Sequence, residues 1–77
     1  MEGKLNIDCN KIEAILDDGR IIPINVGEKF EVLIFSALLR FEWITVQLAA
    51  NENGYYLKAP ASRHIVLSKV SKIRLEV

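Results

Sequence analysis

Apolar and polar residues alternate along most of the chain, and this period of two is typical of β-strands. In the first strand of the pattern, Leu5, Ile7 and Cys9 alternate with polar residues, and the segment KIEAIL, residues 11–16, continues in the same way. The sequence DDG follows directly and is typical of a tight turn, because glycine and aspartate adopt the left-handed backbone conformation readily. The pattern therefore predicts an N-terminal hairpin from Leu5 to Leu16, with Cys9 as a small core residue.

The rest of the chain shows the same alternation. Pro23 cannot donate a hydrogen bond to a neighbouring strand, so its segment belongs at a sheet edge or at a bulge. Residues 60–64 look like a loop, and SALLRFE and SKVSK could each form one turn of helix. Together these signals predict an all-β fold of five to six short antiparallel strands with at most one or two helical turns. The further strands are expected in RIIPIN, EKFEVLIF, RFEWITVQLA, YYLKA and SKIRLEV.

The run from Glu31 to Ala50 contains more apolar residues than one face of a hairpin needs. If Phe30, Val32 and Ile34 face the core, Leu33 and Phe35 must face outward, because successive side chains of a strand alternate between faces. On the next strand, inward-facing Ile44, Val46 and Leu48 leave Phe41 and Trp43 outward, and Leu38, Leu39 and Arg40 occupy the connecting tip. The predicted protein-interaction residues are therefore Leu33, Phe35, Leu38, Leu39, Arg40, Phe41 and Trp43.

Two explanations for this outer apolar surface stay open. The N-terminal hairpin could fold across it as a second layer and cover it within the same chain. Alternatively, the surface could bind another protein or a second copy of the chain, most simply as a twofold dimer. For Leu38 and Leu39 we favour an interface, since a hairpin tip is seldom covered by its own fold. Trp43 and Arg40 are of the residue types that most often anchor interfaces.

Single-stranded nucleic acid is the alternative partner. Small barrels often bind such strands with aromatic side chains flanked by basic ones. The ten basic and ten acidic residues balance to a formal net charge of zero, which argues against a protein that simply coats DNA. The candidate residues for this alternative are Tyr55, Tyr56, Lys58, Arg63, Lys72 and Arg74.

The sequence contains no pattern for catalysis, a metal site or a cofactor, and we predict none. Cys9 and His64 are the only cysteine and histidine, too few for a structural zinc site, and no flanking motif makes Cys9 a nucleophile. Asp17 and Asp18 are explained by the turn. The polar N-terminus has no apolar segment typical of a signal peptide, and charges interrupt the apolar run, so we expect a cytoplasmic protein without a membrane span. The 77 residues suffice for one domain, residues 1–77.

Four segments between Ile24 and Val77, namely VGEKFEV, WITVQL, NGYYLKA and KVSKIRLEV, occur in the order typical of a small SH3-like barrel. The order also resembles that of uncharacterised small proteins carried by bacterial phages and conjugative elements. The segment FSALLRF departs from the pattern, which has a short polar turn there. The resemblance implies a small SH3-like β-barrel with no catalytic residue. It also suggests an accessory protein that binds a host protein.

Overall fold

The computed structural model of the protein describes residues 1–8, 11–36 and 38–76, with Asp8 described by its backbone alone. The fold is all-β, as the alternation predicts. A short 3₁₀ helix, Leu67–Lys69, precedes the last strand. The strands are β1 (Glu2–Asp8), β2 (Lys11–Leu16), β3 (Ile21–Ile24), β4 (Lys29–Phe35), β5 (Phe41–Asn51), β6 (Gly54–Ala59), β7 (Arg63–Ile65) and β8 (Val70–Arg74).

All eight strands belong to one sheet in the order β3-β2-β1-β8-β4-β5-β6-β7, and every pairing is antiparallel. Consecutive strands pair through hairpins within β1–β3 and within β4–β7, whereas β3 and β4 do not pair. The last strand, β8, returns from the end of the chain to lie between β1 and β4. Pro23 lies in β3, an edge strand, as its missing N–H group requires. The two edge strands are short, which limits the exposed unpaired backbone.

The junction between β1 and β8 joins the N-terminal three strands to the C-terminal five. Glu2 pairs with Arg74 and Gly3 with Ile73. Beyond the strands, the Leu75 N–H donates to the Met1 carbonyl at 2.8 Å, and the terminal ammonium of Met1 donates to the Leu75 carbonyl at 2.6 Å. Only a short ladder therefore couples the two parts of the sheet through the backbone.

The core couples these parts more extensively. Buried side chains of β2 and β3 form one cluster with buried side chains of β4, β5, β6 and β8, although these strands are not neighbours in the sheet. The sheet must therefore curl so that its concave face encloses the core. The most buried members, each at most 2% exposed, are Ala14, Leu16, Val32, Val46, Leu48, Leu57 and Ile73.

Three parts of the sequence-based prediction need correction. The sheet has eight strands instead of five to six, partly because the Pro60–His64 segment, predicted as a loop, contains the start of β7. A three-residue edge strand such as RHI is too short to show alternation. The sheet is not closed by hydrogen bonds, since it ends at β3 and β7. One helical turn forms near SKVSK, whereas the described part of SALLRFE forms a hairpin turn and the start of β5.

The predicted turn at Asp17–Gly19 is confirmed. The Leu16 N–H donates to the Arg20 carbonyl at 2.8 Å, and the Gly19 N–H donates to the Leu16 carbonyl at 2.9 Å. Gly19 has a φ of 91°, a conformation that suits glycine. This geometry is that of a three-residue hairpin loop whose last residue is left-handed.

Asp18 makes the stability of this turn depend on pH. Its carboxylate accepts hydrogen bonds from the Arg20 backbone N–H at 3.0 Å and from Arg20 Nε at 2.7 Å, and the backbone bond is the main cause that lowers the pKa of Asp18 below 3.8. A carboxyl with a lowered folded-state pKa stabilises the fold above its unfolded-state pKa and loses that contribution as the pH falls through the folded-state value. We expect Asp18→Ala to lower the urea midpoint at pH 7 slightly, and we expect the difference from wild type to shrink as the pH falls below 3.8.

The matched control is Asp17→Ala, because Asp17 is an exposed neighbour without such side-chain bonds among the described contacts. An Asp18→Ala effect that stays the same as the pH is lowered would contradict the role of the ionised carboxylate.

Candidate functional site

The β4–β5 hairpin carries an apolar surface on the face opposite the core. Leu33 pairs with Trp43, and Phe35 pairs with Phe41, so the four side chains lie on the same face of the two strands. The rings of Phe35 and Phe41 meet edge to face, with 5.2 Å between their centroids. Together with the tip residues Leu38 and Leu39, these six residues form what we call the apolar patch.

Exposure increases along the apolar patch toward the hairpin tip. Leu33 and Trp43 are half-buried, whereas Phe35 is 57% and Phe41 59% exposed. Leu38 and Leu39 are 69% and 80% exposed. Large apolar side chains scattered singly over a surface are normal, but a contiguous group of this kind marks an interaction site or an aggregation risk.

The tip itself is a tight turn. The Ser36 N–H donates to the Arg40 carbonyl at 2.7 Å, and the Leu39 N–H donates to the Ser36 carbonyl at 3.0 Å. Ser36 Oγ also accepts a hydrogen bond from the Leu38 N–H at 3.2 Å. Leu39 has a φ of 58° and so lies in the left-handed region, where a bulky side chain costs about 1–2 kcal/mol.

The Leu16–Arg20 turn has the same pair of backbone hydrogen bonds, and Gly19 occupies the position that corresponds to Leu39. The same turn is thus built twice in one chain, once with the residue that its conformation favours and once with leucine. Leu39, the residue with the strained backbone, is also the most exposed member of the apolar patch.

The half-buried end of the apolar patch is covered by charged side chains of its own sheet. The Arg74 guanidinium lies 4.0 Å from the centre of the Trp43 ring, a cation–π contact. Arg74 also lies 3.6 Å from Glu31 and 3.9 Å from Glu2, and Lys72 lies 3.5 Å from Glu2. Trp43 is therefore partly shielded, which leaves Phe35, Phe41 and the tip as the accessible part.

The N-terminal hairpin does not cover this face, contrary to one of the two explanations drawn from the sequence. Its buried residues Ile12, Ala14 and Leu16 pack in the same cluster as Val32 and Val46. Since these two residues face away from the apolar patch, the hairpin covers the concave side of the sheet. The outer face keeps its apolar residues exposed.

Arg40, the remaining predicted interaction residue, lies at the rim of the apolar patch. Its Nε donates to Glu42 Oε1 at 3.0 Å, and both side chains are accessible to solvent. Glu42 pairs with Ile34 and therefore lies on the core side of the hairpin, opposite the apolar patch, so Arg40 is the one charged residue of this ion pair next to the tip.

The predicted nucleic-acid residues do not form one surface. Tyr56 and Lys58 share the outer face of β6, whereas Tyr55 lies on the same face of the strand as the core residue Leu57. Arg63 pairs with Ala59 and lies on the same side as Tyr55. Lys72 and Arg74 lie on the outer face of β8, which β4 and β5 separate from β6, and they are engaged with carboxylates. Of the six residues, Tyr56 and Lys58 are the only aromatic and basic residues that lie next to each other on one face.

The sheet register brings other residues to these two. Lys29 pairs with Gln47, Gln47 with Lys58, and Lys58 with His64. We call these four residues, which cross β4, β5, β6 and β7 on the outer face, the basic row. The sequence offered no local signal for it, because Lys29 and His64 lie far apart in the chain and meet only through strand pairing.

Within the described ranges, no group of three or more His, Cys, Asp or Glu side chains is arranged to hold a metal ion. No helix among these residues has the length and apolar character needed to cross a membrane. His64 packs against Tyr56, with 4.6 Å between ring centroids. Cys9, predicted as a core residue, lies outside the described residues.

Comparisons with protein-family models, with curated proteins and with solved structures found no match to this chain.

Proposed function

We propose that the protein is a non-enzymatic protein-interaction module that self-associates through the apolar patch. The observation that carries this proposal is Leu39, a bulky residue in a left-handed conformation with 80% of its surface exposed. Backbone strain at an exposed position suggests that the side chain has a role that the free fold does not use. In the equivalent turn this position is occupied by Gly19, the residue type expected where the side chain has no binding role.

The size of the apolar patch suits the centre of a protein interface. A fully exposed aromatic side chain presents about 150–250 Å², so the six residues expose roughly 500 Å² in all. A standard interface buries about 800 Å² on each partner and places apolar residues at its centre and polar ones at its rim. Arg40, an exposed residue next to the tip, supplies a polar group for such a rim.

Charge favours a second copy as the occupant. The formal net charge is zero, so two copies have little long-range repulsion to overcome. Twofold symmetry would place the Phe35–Phe41 pair against its own equivalent. We take a homodimer as the form of the module.

The fold class and setting complete the proposal. A small SH3-like barrel is the identity that the resemblance implies, and the curled antiparallel sheet supports it. The same resemblance suggests a phage or mobile-element accessory protein that binds a host protein in the cytoplasm. The stacking of His64 on Tyr56, beside Lys58 instead of a carboxylate, supports the non-enzymatic part of the proposal.

Introducing two charges at the tip should abolish self-association. In Leu38→Asp with Leu39→Asp, burying both side chains in a dimer would require desolvating two unpaired carboxylates, which is strongly unfavourable. We expect the molar mass from size-exclusion chromatography with light scattering to fall from that of a dimer to that of one chain, with the circular dichroism spectrum unchanged.

The matched control is Val26→Asp with Val66→Asp. These side chains are 58% and 61% exposed and lie outside the apolar patch. The control variant changes the net charge by the same amount as the tip variant. The control should remain dimeric. A wild-type protein that is monomeric at all concentrations, or a control that dissociates as fully as the tip variant, would refute self-association through the patch.

Leu39→Gly should separate folding from association. Glycine relieves the left-handed strain at a smaller entropic cost, so the monomer should become more stable by up to about 1 kcal/mol. The dimer should nevertheless weaken, because the most exposed apolar side chain is gone. Urea denaturation at a protein concentration low enough to keep the chain monomeric measures the change in monomer stability. Sedimentation of a dilution series measures the change in dimer affinity.

Leu38→Gly is the control for the strain, since Leu38 does not have a positive φ. This variant should weaken association without any gain in monomer stability. If Leu39→Gly destabilised the monomer, or left association unchanged, the strained turn would have no connection with binding.

A further inference from the structure

Three residues of the basic row, Lys29, Gln47 and Lys58, line a shallow groove away from the tip of the β4–β5 hairpin. The groove has a volume of about 290 Å³, and Lys29 and Lys58 flank it while Thr45 and Gln47 contribute to its floor. Directly paired residues have their Cβ atoms about 4.5–5.5 Å apart. The two lysines, separated by Gln47, are therefore close enough to contact one extended ligand.

Within the described part of the chain, no carboxylate forms an ion pair with either lysine of the basic row, Lys29 or Lys58. The nearest carboxylate on this face of β4 is Glu31, which lies against Arg74. Glu28 Oε1 accepts hydrogen bonds from Asn25. The exposed lysines are thus available to an anionic ligand.

An aromatic platform adjoins the charges. Tyr56 pairs with Ala49, lies on the same face as Lys58, and packs against the His64 ring. The half-buried Tyr56 covers Ala49, which fixes the ring against the sheet. Flat aromatic rings beside unpaired cations are the combination with which proteins bind single strands, since bases stack on the rings and phosphates approach the cations.

We propose that the basic row and Tyr56 form a binding site for single-stranded nucleic acid. The site is independent of the apolar patch, because Thr45 and Glu31 lie between the two surfaces on β5 and β4. It also differs from the surface predicted from the sequence, since it omits Tyr55, Arg63, Lys72 and Arg74 and adds Lys29, Gln47 and His64. Phosphates would lie along the lysines and one base would stack on Tyr56.

Fluorescence anisotropy with a labelled twelve-nucleotide oligothymidine tests this site in the full-length protein. Each phosphate neutralised in a single strand contributes about −0.7 to the slope of log K against log salt. Two lysine contacts then predict a roughly 25-fold loss of affinity between about 20 and 200 mM salt. The Leu38→Asp, Leu39→Asp variant should bind as wild type does, which separates this site from self-association.

Three variants assign the binding to the proposed residues. Lys29→Ala with Lys58→Ala should remove most of the salt dependence, and Tyr56→Leu should weaken binding roughly tenfold through lost stacking while an apolar residue still covers Ala49. Lys4→Ala with Lys11→Ala changes the charge equally at two exposed residues of the N-terminal hairpin. This control should bind nearly as the wild type does.

Other outcomes would overturn the proposal. No binding of the oligonucleotide at about 20 mM salt would exclude the site. If Lys29→Ala with Lys58→Ala and Lys4→Ala with Lys11→Ala lost the same affinity for the oligonucleotide, binding would depend only on the overall charge of the protein. If heparin displaced the strand and Tyr56→Leu had no effect, the surface would be a general anion site, without recognition of a nucleic acid.

Discussion

Gly3→Ala is expected to destabilise the fold by about 3 kcal/mol or more, because the added methyl group has no space. A Cβ at Gly3 would lie 2.7 Å from Leu16 Cα and 2.9 Å from the carbonyl carbon of Ile15, and it would overlap the Ile15 carbonyl oxygen. These are backbone atoms of the paired strand β2, so they cannot move aside as a flexible side chain could. Relief requires β1 and β2 to separate.

The position of Gly3 makes this effect larger than a local clash. Gly3 pairs with Leu16 on one side and with Ile73 on the other. It therefore belongs to the short ladder that joins the N-terminal three strands to the C-terminal five. Moving β1 away from β2 also strains this junction, and a domain of this size has only about 4–12 kcal/mol of stability in total.

Urea denaturation, followed by circular dichroism, measures the effect. Lys4→Ala is the control, since Lys4 is exposed in the same strand, and its stability should remain within about 0.5 kcal/mol of wild type. A Gly3→Ala protein with the wild-type midpoint would mean that β1 and β2 are not packed as closely as described.

Leu57→Ala is expected to cost about 2–5 kcal/mol, since it removes a fully buried side chain and leaves a cavity. Leu57 is 0% exposed and belongs to the cluster that the two parts of the sheet share. For a domain of this size the loss corresponds to a fall of roughly 10–30 °C in the melting temperature. Leu38→Ala makes the same chemical change at an exposed position and should leave the stability of the monomer nearly unchanged.

The shared core also predicts how the Leu57→Ala protein unfolds. Trp43 fluorescence reports on the β4–β5 hairpin, whereas far-ultraviolet circular dichroism reports on all strands, and the two transitions should coincide. If the two transitions were separate, the N-terminal strands would unfold independently of β4, β5 and β6. We do not expect this result, because both groups of strands contribute to one cluster of buried residues.

The period of two in the sequence correctly assigned the faces of the β4–β5 hairpin. Phe30 and Val32 are buried while Phe35 and Phe41 are exposed, as the alternation predicted, because a strand cannot place two successive side chains on one face. The turn at Asp17–Gly19 and the edge position of Pro23 were also predictable, since each depends on the backbone chemistry of one or two residues.

Features that depend on partners distant in the chain were not predictable in this way. The RHI segment became a strand only because β6 offers it hydrogen bonds, and the tip of the β4–β5 hairpin became a tight turn because the register of the two strands requires one. Whether the sheet closes into a barrel depends on how far it curls, which no single segment encodes.

The candidate functional site likewise has features that are set locally and features that depend on distant parts of the chain. By itself the sequence determined which side chains point away from the core, because alternation is a local property of a strand; the exposed tip of the β4–β5 hairpin and its leucines follow from that. Only the tertiary structure decided which outward residues become neighbours. Strand order and register separated Lys72 and Arg74 from Tyr56 and brought Lys29 and His64 to Lys58, since hydrogen bonds between strands join residues without regard to their distance along the chain.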